Sequence, residues 1–191
     1  MNDLLQSSRN WFAHKMWRRW ALRIACVWVA GWLGLQLAVS LIPLPEGIGK
    51  LPAISPQVAD REGVPLRLLL TADEYFLQPV TLEECAPVFI QATLAAEDKR
   101  FWSHDGVDWM GVARAVKDMI AKGRVVSGAS TITQQLIKNV EPRSRTVRTK
   151  ILESLQAKKL ERQWTKMQIF TAYINRIDYG NLCRGAGTSA W

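Results

Sequence analysis

The chain has 191 residues, 48% of them hydrophobic, which is enough for one membrane segment and one globular domain but hardly for two domains. Its 25 Lys and Arg against 17 Asp and Glu give a net charge of +8. That excess suits an anionic partner, whether a membrane surface, a phosphorylated substrate or nucleic acid, and does not choose among them.

In chain order, the first 23 residues form a basic tail in which Arg9, Lys15, Arg18, Arg19 and Arg23 face a lone Asp3. From Ile24 to Pro45 no residue is charged, and these 22 residues would span about 33 Å as a helix, close to the thickness of a bilayer's hydrocarbon core. Residues 24–45 are therefore expected to form a single transmembrane helix, stopped by Pro43, Pro45 and Gly47. The basic flank places the N-terminus in the cytoplasm, with Trp11, Trp17 and Trp20 near the headgroups. A cleaved signal peptide is the rival reading, since Ala38-Val39-Ser40 has small residues, but the apolar run is longer than a signal core. In either case the rest of the chain is exported.

Cys26 falls in the apolar run, and only Cys85 and Cys183 reach the oxidising side, where nothing in the sequence requires them to pair. With no two cysteines at zinc-site spacing and only His14 and His104 as histidines, no structural metal is expected. Residues 46–82 read as a linker followed by a small β region, with β-compatible runs at Pro65–Leu70 and Glu74–Leu77 joined as a hairpin. From Glu83 the pattern turns helical. Glu83 and Glu84 favour a helix start, Pro87 fits its first turn, and further helices are predicted at about 108–122, 130–140, 144–163 and 165–176, with Gly123, Gly128, Pro142 and Gly180 between them. Residues 83–191 are thus predicted as one mainly α domain without internal repeats.

Two segments carry the chemistry. In Glu97-Asp98-Lys99-Arg100-Phe101-Trp102-Ser103-His104-Asp105-Gly106 a carboxylate ends an apolar helix, and Glu97, Phe101 and His104 would share a face if the helix continued. Apolar surroundings would desolvate Glu97 and raise its pKa toward that of a general base. Read alone, it is an ordinary surface Glu beside Lys99 and Arg100. His104 suits a structural hydrogen bond better than chemistry.

The second segment is Gly128-Ala129-Ser130-Thr131-Ile132-Thr133-Gln134-Gln135-Leu136-Ile137-Lys138-Asn139. Ser130 is a credible N-cap, the helix start is a natural anion site, and Ser130, Thr133, Gln134 and Lys138 would cluster on one side to hold a diphosphate or sugar. A capped helix with a polar face is the plain alternative. Downstream, Arg143, Arg145, Arg148 and Lys150 form a basic stretch leading to Glu153.

These segments closely resemble the first two motifs of the peptidoglycan glycosyltransferases, family 51, the glycosyltransferase domain of class A penicillin-binding proteins. The tail Asn181–Trp191 looks most like the penicillin-binding protein 1C branch. Lys150-Ile151-Leu152-Glu153 resembles the third motif, with Thr149 where an arginine is usual, and Lys166–Asn175 resembles the fourth, which reads as scaffold.

The resemblance implies a lysozyme-like, mainly α fold and polymerisation of lipid II into β-1,4 glycan strands, by inverting transfer from a polyprenyl diphosphate donor. It makes Glu97 the base and Glu153 a second carboxylate that positions cations. Arg114 would lie on substrate phosphate, and Ser130, Thr133, Gln134, Lys138, Arg145 and Lys150 would bind the rest of the substrate. No cofactor is required, and a divalent cation at the substrate diphosphate is compatible with it. The implied partners are lipid II, the nascent glycan strand, the membrane and cell-wall synthesis proteins, not nucleic acid. The implied location is the bacterial inner membrane, with the domain on its periplasmic or outer face.

The family's domain normally runs past Trp191, so the chain is expected to be C-terminally incomplete, and an inactive membrane-anchored fragment is the alternative reading. A lysozyme-like hydrolase is a weaker one. The chain has no Ser-x-x-Lys and no Lys-Thr-Gly, so it lacks the transpeptidase site.

Overall fold

A computed structural model of the chain describes residues 2–123 and 130–189, with side chains from Trp17 onward except at Ser189. Gly128, Ala129 and Trp191, which the sequence reading singled out, lie outside the described residues. The chain divides into two compact units, residues 1–41 and 42–191.

The first unit is one helix, α1 (Asn2–Leu41). Its stretch Trp17–Leu41, 25 residues, is long and apolar enough to cross a membrane. The helix takes in the basic flank and stops before Pro43, because proline disfavours helical geometry in the residue ahead of it.

The second unit is mainly helical, with α2 (Pro87–Glu97), α3 (Trp109–Lys122), α4 (Ile132–Val140), α5 (Val147–Gln163), α6 (Lys166–Ile174) and the short α7 (Ala186–Ser189). The starts of α3 to α6 have local chemical causes. Asp108 accepts from Gly111 N, Thr146 from Thr149 N, and Thr131 and Thr165 form capping boxes with Gln134 and Gln168. The predicted cap of α4 was Ser130. Thr131 takes that place because a box needs its glutamine three residues on, and Gln134 stands there. α2 begins at Pro87, not at Glu83, since Glu84 is used to accept from Thr81 N in the preceding turn.

Helices α4, α5 and α6 pack around a core of Phe101, Ile132, Leu136, Ile137, Ala157, Leu160, Ile169, Phe170 and Ile174, all fully buried. Each large aliphatic side chain among them contributes about 1.5–3 kcal/mol through burial. By contrast α3 buries no residue, although its apolar residues gather on one face.

The β region pairs differently from the expected hairpin. Strand β1 (Gln57–Ala59) runs antiparallel to β2 (Pro65–Leu68), around a turn in which Asp60 Oδ1 accepts from Glu62 N and Val64 N at 2.9 and 2.8 Å. The run predicted to partner β2 is β3 (Phe76–Leu77), which instead pairs in parallel with β4 (Cys183–Arg184). Asn175 secures the segment after β3, accepting from Val80 N and donating to Val80 O, both at 2.8 Å. Cys85 and Cys183 are both free thiols.

One close approach ties the domain together. Gly106, with φ +93°, lies against the backbone of α5, where a Cβ would meet Ala157 C at 2.7 Å and Lys158 N at 2.9 Å. Its carbonyl accepts from Thr131 Oγ1 at 2.7 Å, so the same turn also holds the start of α4.

Candidate active site

The first motif is organised by Asp98. Helix α2 ends at Glu97, and Asp98 leaves helical geometry to turn its carboxylate inward, where the residue is 7% exposed. There it accepts from Ile132 N at 3.1 Å and from His104 Nε2 at 2.9 Å. His104 Nδ1 accepts from Gly106 N at 3.2 Å, so in the neutral ring the proton sits on Nε2 and is donated to Asp98. Phe101 meanwhile enters the core. The predicted common face of Glu97, Phe101 and His104 is therefore not formed, because the helix stops before it.

With Asp98 turned inward, Glu97 is presented outward. Its carboxylate is exposed, so the expected desolvation is not seen, and it accepts from Gln135 Nε2 at 2.9 Å. Glu97 lines a cleft of about 430 Å³ with Lys99, Arg100, Asp108, Arg114 and Ser130. Arg100 forks onto Asp108, through Nε to Oδ2 at 3.1 Å and Nη2 to Oδ1. Arg114 enters from α3 and is exposed.

Ser130 also borders a second cleft, of about 570 Å³, with Lys138, Arg143, Arg145, Lys150 and Glu153 on its walls. At its centre Lys150 Nζ donates to Ser130 Oγ at 2.6 Å and to Gln134 Oε1 at 3.0 Å, and lies 3.6 Å from Glu153 Oε2. Burial lowers the Lys150 pKa below the ordinary lysine value, with the Glu153 carboxylate opposing that shift. Lys138 and Arg145 are exposed on the same cleft. Arg143 is held back by Glu141 and by Gln156 Oε1 at 2.9 Å.

Of the predicted ligand cluster on α4, Ser130 and Lys138 line these two clefts. Thr133 is fully buried and donates to Glu161 Oε1 at 2.6 Å, and Glu161 in turn pairs with Lys166. Gln134 is 3% exposed, with Nε2 on Ser154 Oγ at 3.0 Å and Oε1 shared by Lys150 and Thr131 N. The expected anion site at the helix start is also partly consumed, since Ile132 N goes to Asp98 and Gln134 N to Thr131 Oγ1. Positive charge at this point comes from side chains instead.

Sequence reasoning missed Asp98, Arg100, Asp108 and Gln135. Asp108 and Arg100 had a signal, an aspartate capping a helix with an arginine eight residues before it. Gln135 had only its place one residue on from Gln134, which turns it about 100° around the helix and onto Glu97.

A family model described as Transglycosylase matches residues 67–191. The chain is 36% identical over 156 residues to penicillin-binding protein 1C of Escherichia coli K12, covering 81% of this chain and 20% of that protein. It is 36% identical over 174 residues to penicillin-binding protein 1A of the same organism, covering 82% and 20%. To the biosynthetic peptidoglycan transglycosylase of Dechloromonas aromatica it is 42% identical over 102 residues, covering 52% and 44%. The chain thus spans about a fifth of the length of the two penicillin-binding proteins. By these matches and its motifs, the chain belongs to the transglycosylase family, the family 51 peptidoglycan glycosyltransferases.

Proposed function

We propose that this chain is a membrane-anchored peptidoglycan glycosyltransferase that joins lipid II units into β-1,4 glycan strands. One observation carries the reading. Two clefts meet at Ser130, an exposed carboxylate standing in one and a cationic cluster centred on Lys150 lining the other.

In this reading Glu97 takes the proton from the acceptor's 4-hydroxyl as that oxygen attacks the donor's anomeric carbon with inversion. The bond to the diphosphate breaks, and the departing anion is stabilised by Lys138, Arg145 and Lys150, with Arg114 on substrate phosphate from the Glu97 side. A diphosphate leaves without protonation, so no second acid is needed, and Glu153 serves by holding Lys150 in place. Thr133 and Gln134 act behind the site, Gln134 by orienting Lys150.

The substrate's polyprenyl tail stays in the bilayer, and α1 anchors the domain beside it, with the N-terminus in the cytoplasm and the domain on the outer side of a bacterial inner membrane. The exposed stripe of α3, with Trp109, Met110, Val116 and Ile120 beside Lys117 and Lys122, suits contact with an anionic lipid surface. No metal is assigned a step.

The test is polymerisation of labelled lipid II by the detergent-solubilised chain, read as glycan strands on a gel. Glu97→Gln is expected to lower the rate by about 100-fold or more. Full activity in that variant would remove Glu97 as the base, and shortening of pre-formed glycan in place of strand growth would point to a hydrolase.

A further inference from the structure

Glu97 does not stand alone in its cleft. Tyr173, on α6, is 2% exposed and fixed among core aromatic rings, with its ring centroid 6.5 Å from that of Phe170. Its hydroxyl reaches Gln135 Oε1 at 3.2 Å, and the amide's other end, Nε2, reaches Glu97 Oε2 at 2.9 Å. Three residues 38 positions or more apart in pairs are thus joined by two hydrogen bonds that run from core to cleft.

We propose that Tyr173 and Gln135 are positioning residues for Glu97, forming a tether that fixes one oxygen of its carboxylate and leaves the other to meet a hydroxyl in the cleft. This rests on the reading of Glu97 as the base.

The direction of the tether follows from donor and acceptor chemistry. An ionised carboxylate only accepts, so the Gln135 NH2 group must face Glu97 and Oε1 must face Tyr173. Tyr173 then has to be the donor. Burial, followed by the Glu97 carboxylate and then Tyr179 and Asp98, pushes the tyrosine pKa above its ordinary value, so the hydroxyl keeps its proton across the working range. Without Tyr173 the amide loses the partner that holds its orientation, and without Gln135 the carboxylate loses a hydrogen bond that favours its charged form. Either change frees the Glu97 carboxylate to turn away from the cleft. Asp98, Lys99, Arg100, Asp108, Arg114 and Asp118 line the same cleft and set the background field, which neither change alters in charge.

The deciding measurement is nitrogen-15 NMR of the Gln135 side-chain amide in the detergent-solubilised chain. The parent is compared with Tyr173→Phe and with Glu97→Ala. In the parent the amide protons are expected to exchange slowly with water, and each variant, by removing one end of the tether, is expected to speed that exchange about 3-fold or more. An exchange rate unchanged in either variant would overturn the tether.

Tyr173→Phe keeps the ring in the core and Gln135→Leu alters a half-buried position, so both variants are expected to fold. In strand synthesis each should lower kcat about 3- to 10-fold with little change in KM, and because Tyr173 acts through Gln135 the double variant should lose no more than Gln135→Leu alone. A loss confined to KM would also overturn it. The Gln135 amide signal decides the tether and strand synthesis by the parent decides the proposed activity, so the two fail separately.

Discussion

Helices α3 and α4 make an instructive pair. Both are amphipathic, both begin with a side-chain cap, and residues at or near both border the cleft that holds Glu97. Yet α4 buries Ile132, Thr133, Gln134, Leu136 and Ile137 among its nine residues, while α3 buries none of its fourteen. Sequence amphipathicity alone says that a face is apolar, not what covers it. For α4 the cover is α5 and α6, so its buried polar residues Thr133 and Gln134 are drawn into fixed networks and become scaffold, while Lys138 stays on the cleft. For α3 nothing among the described residues of the domain buries the stripe.

The largest test of that contrast is truncation of each stripe. Leu136→Ala, at a fully buried position, should cost about 2–5 kcal/mol in denaturant unfolding, whereas Ile120→Ala, at a residue 76% exposed, should stay within about 0.5 kcal/mol of the parent. Equal losses would mean that α3 is packed after all.

Next in size is the joint between the two motifs. His104 Nε2 and Ile132 N converge on Asp98 Oδ2, and Asp98→Asn, which removes the charge from both bonds and the second oxygen that His104 also reaches, should cost about 1–3 kcal/mol, read from the unfolding midpoint.

A smaller effect separates stability from surface binding. Replacing Trp109 and Ile120 with serine should leave unfolding nearly unchanged but weaken binding of residues 42–191 to vesicles of anionic lipid, read by co-sedimentation. Unaltered sedimentation would deny α3 a lipid-facing role.

The smallest concerns Lys150. Its pKa in the folded state is lowered from 10.5, chiefly by burial, so between the lowered value and 10.5 the unfolded chain binds more protons than the folded one. Stability therefore rises with pH across that window. Lys150→Met should flatten this rise in unfolding measured at stepped alkaline pH. Partial exposure of the ammonium keeps the slope shallow.

The helices were legible in the sequence because their signals are local: Thr131 with Gln134, Thr165 with Gln168, Asp108 ahead of an apolar period, Gly123 at a left-handed end. The β pairing was not, since β3 and β4 meet from opposite ends of the domain and two-residue strands carry no pattern of their own. The same limit governed the site. Spacing put Thr133 and Ser130 near one another on a helix, but the hydroxyl of Thr133 answers to Glu161, 28 residues away on another helix. Likewise, the apolar run before Glu97 suggested a dry carboxylate. The run packs elsewhere, and what holds Glu97 is an amide from α4.

Gly106 gives this arrangement its gauge. It donates to His104, which in turn holds Asp98, supports the start of α4 through its carbonyl, and touches the α5 backbone at a distance that only a hydrogen side chain permits. How closely α5, and with it Lys150, approaches the start of α4 thus depends on a missing methyl group. A larger residue there would act as a shim, prising α5 away and drawing Lys150 off from Ser130 and Gln134 although no functional side chain had been changed.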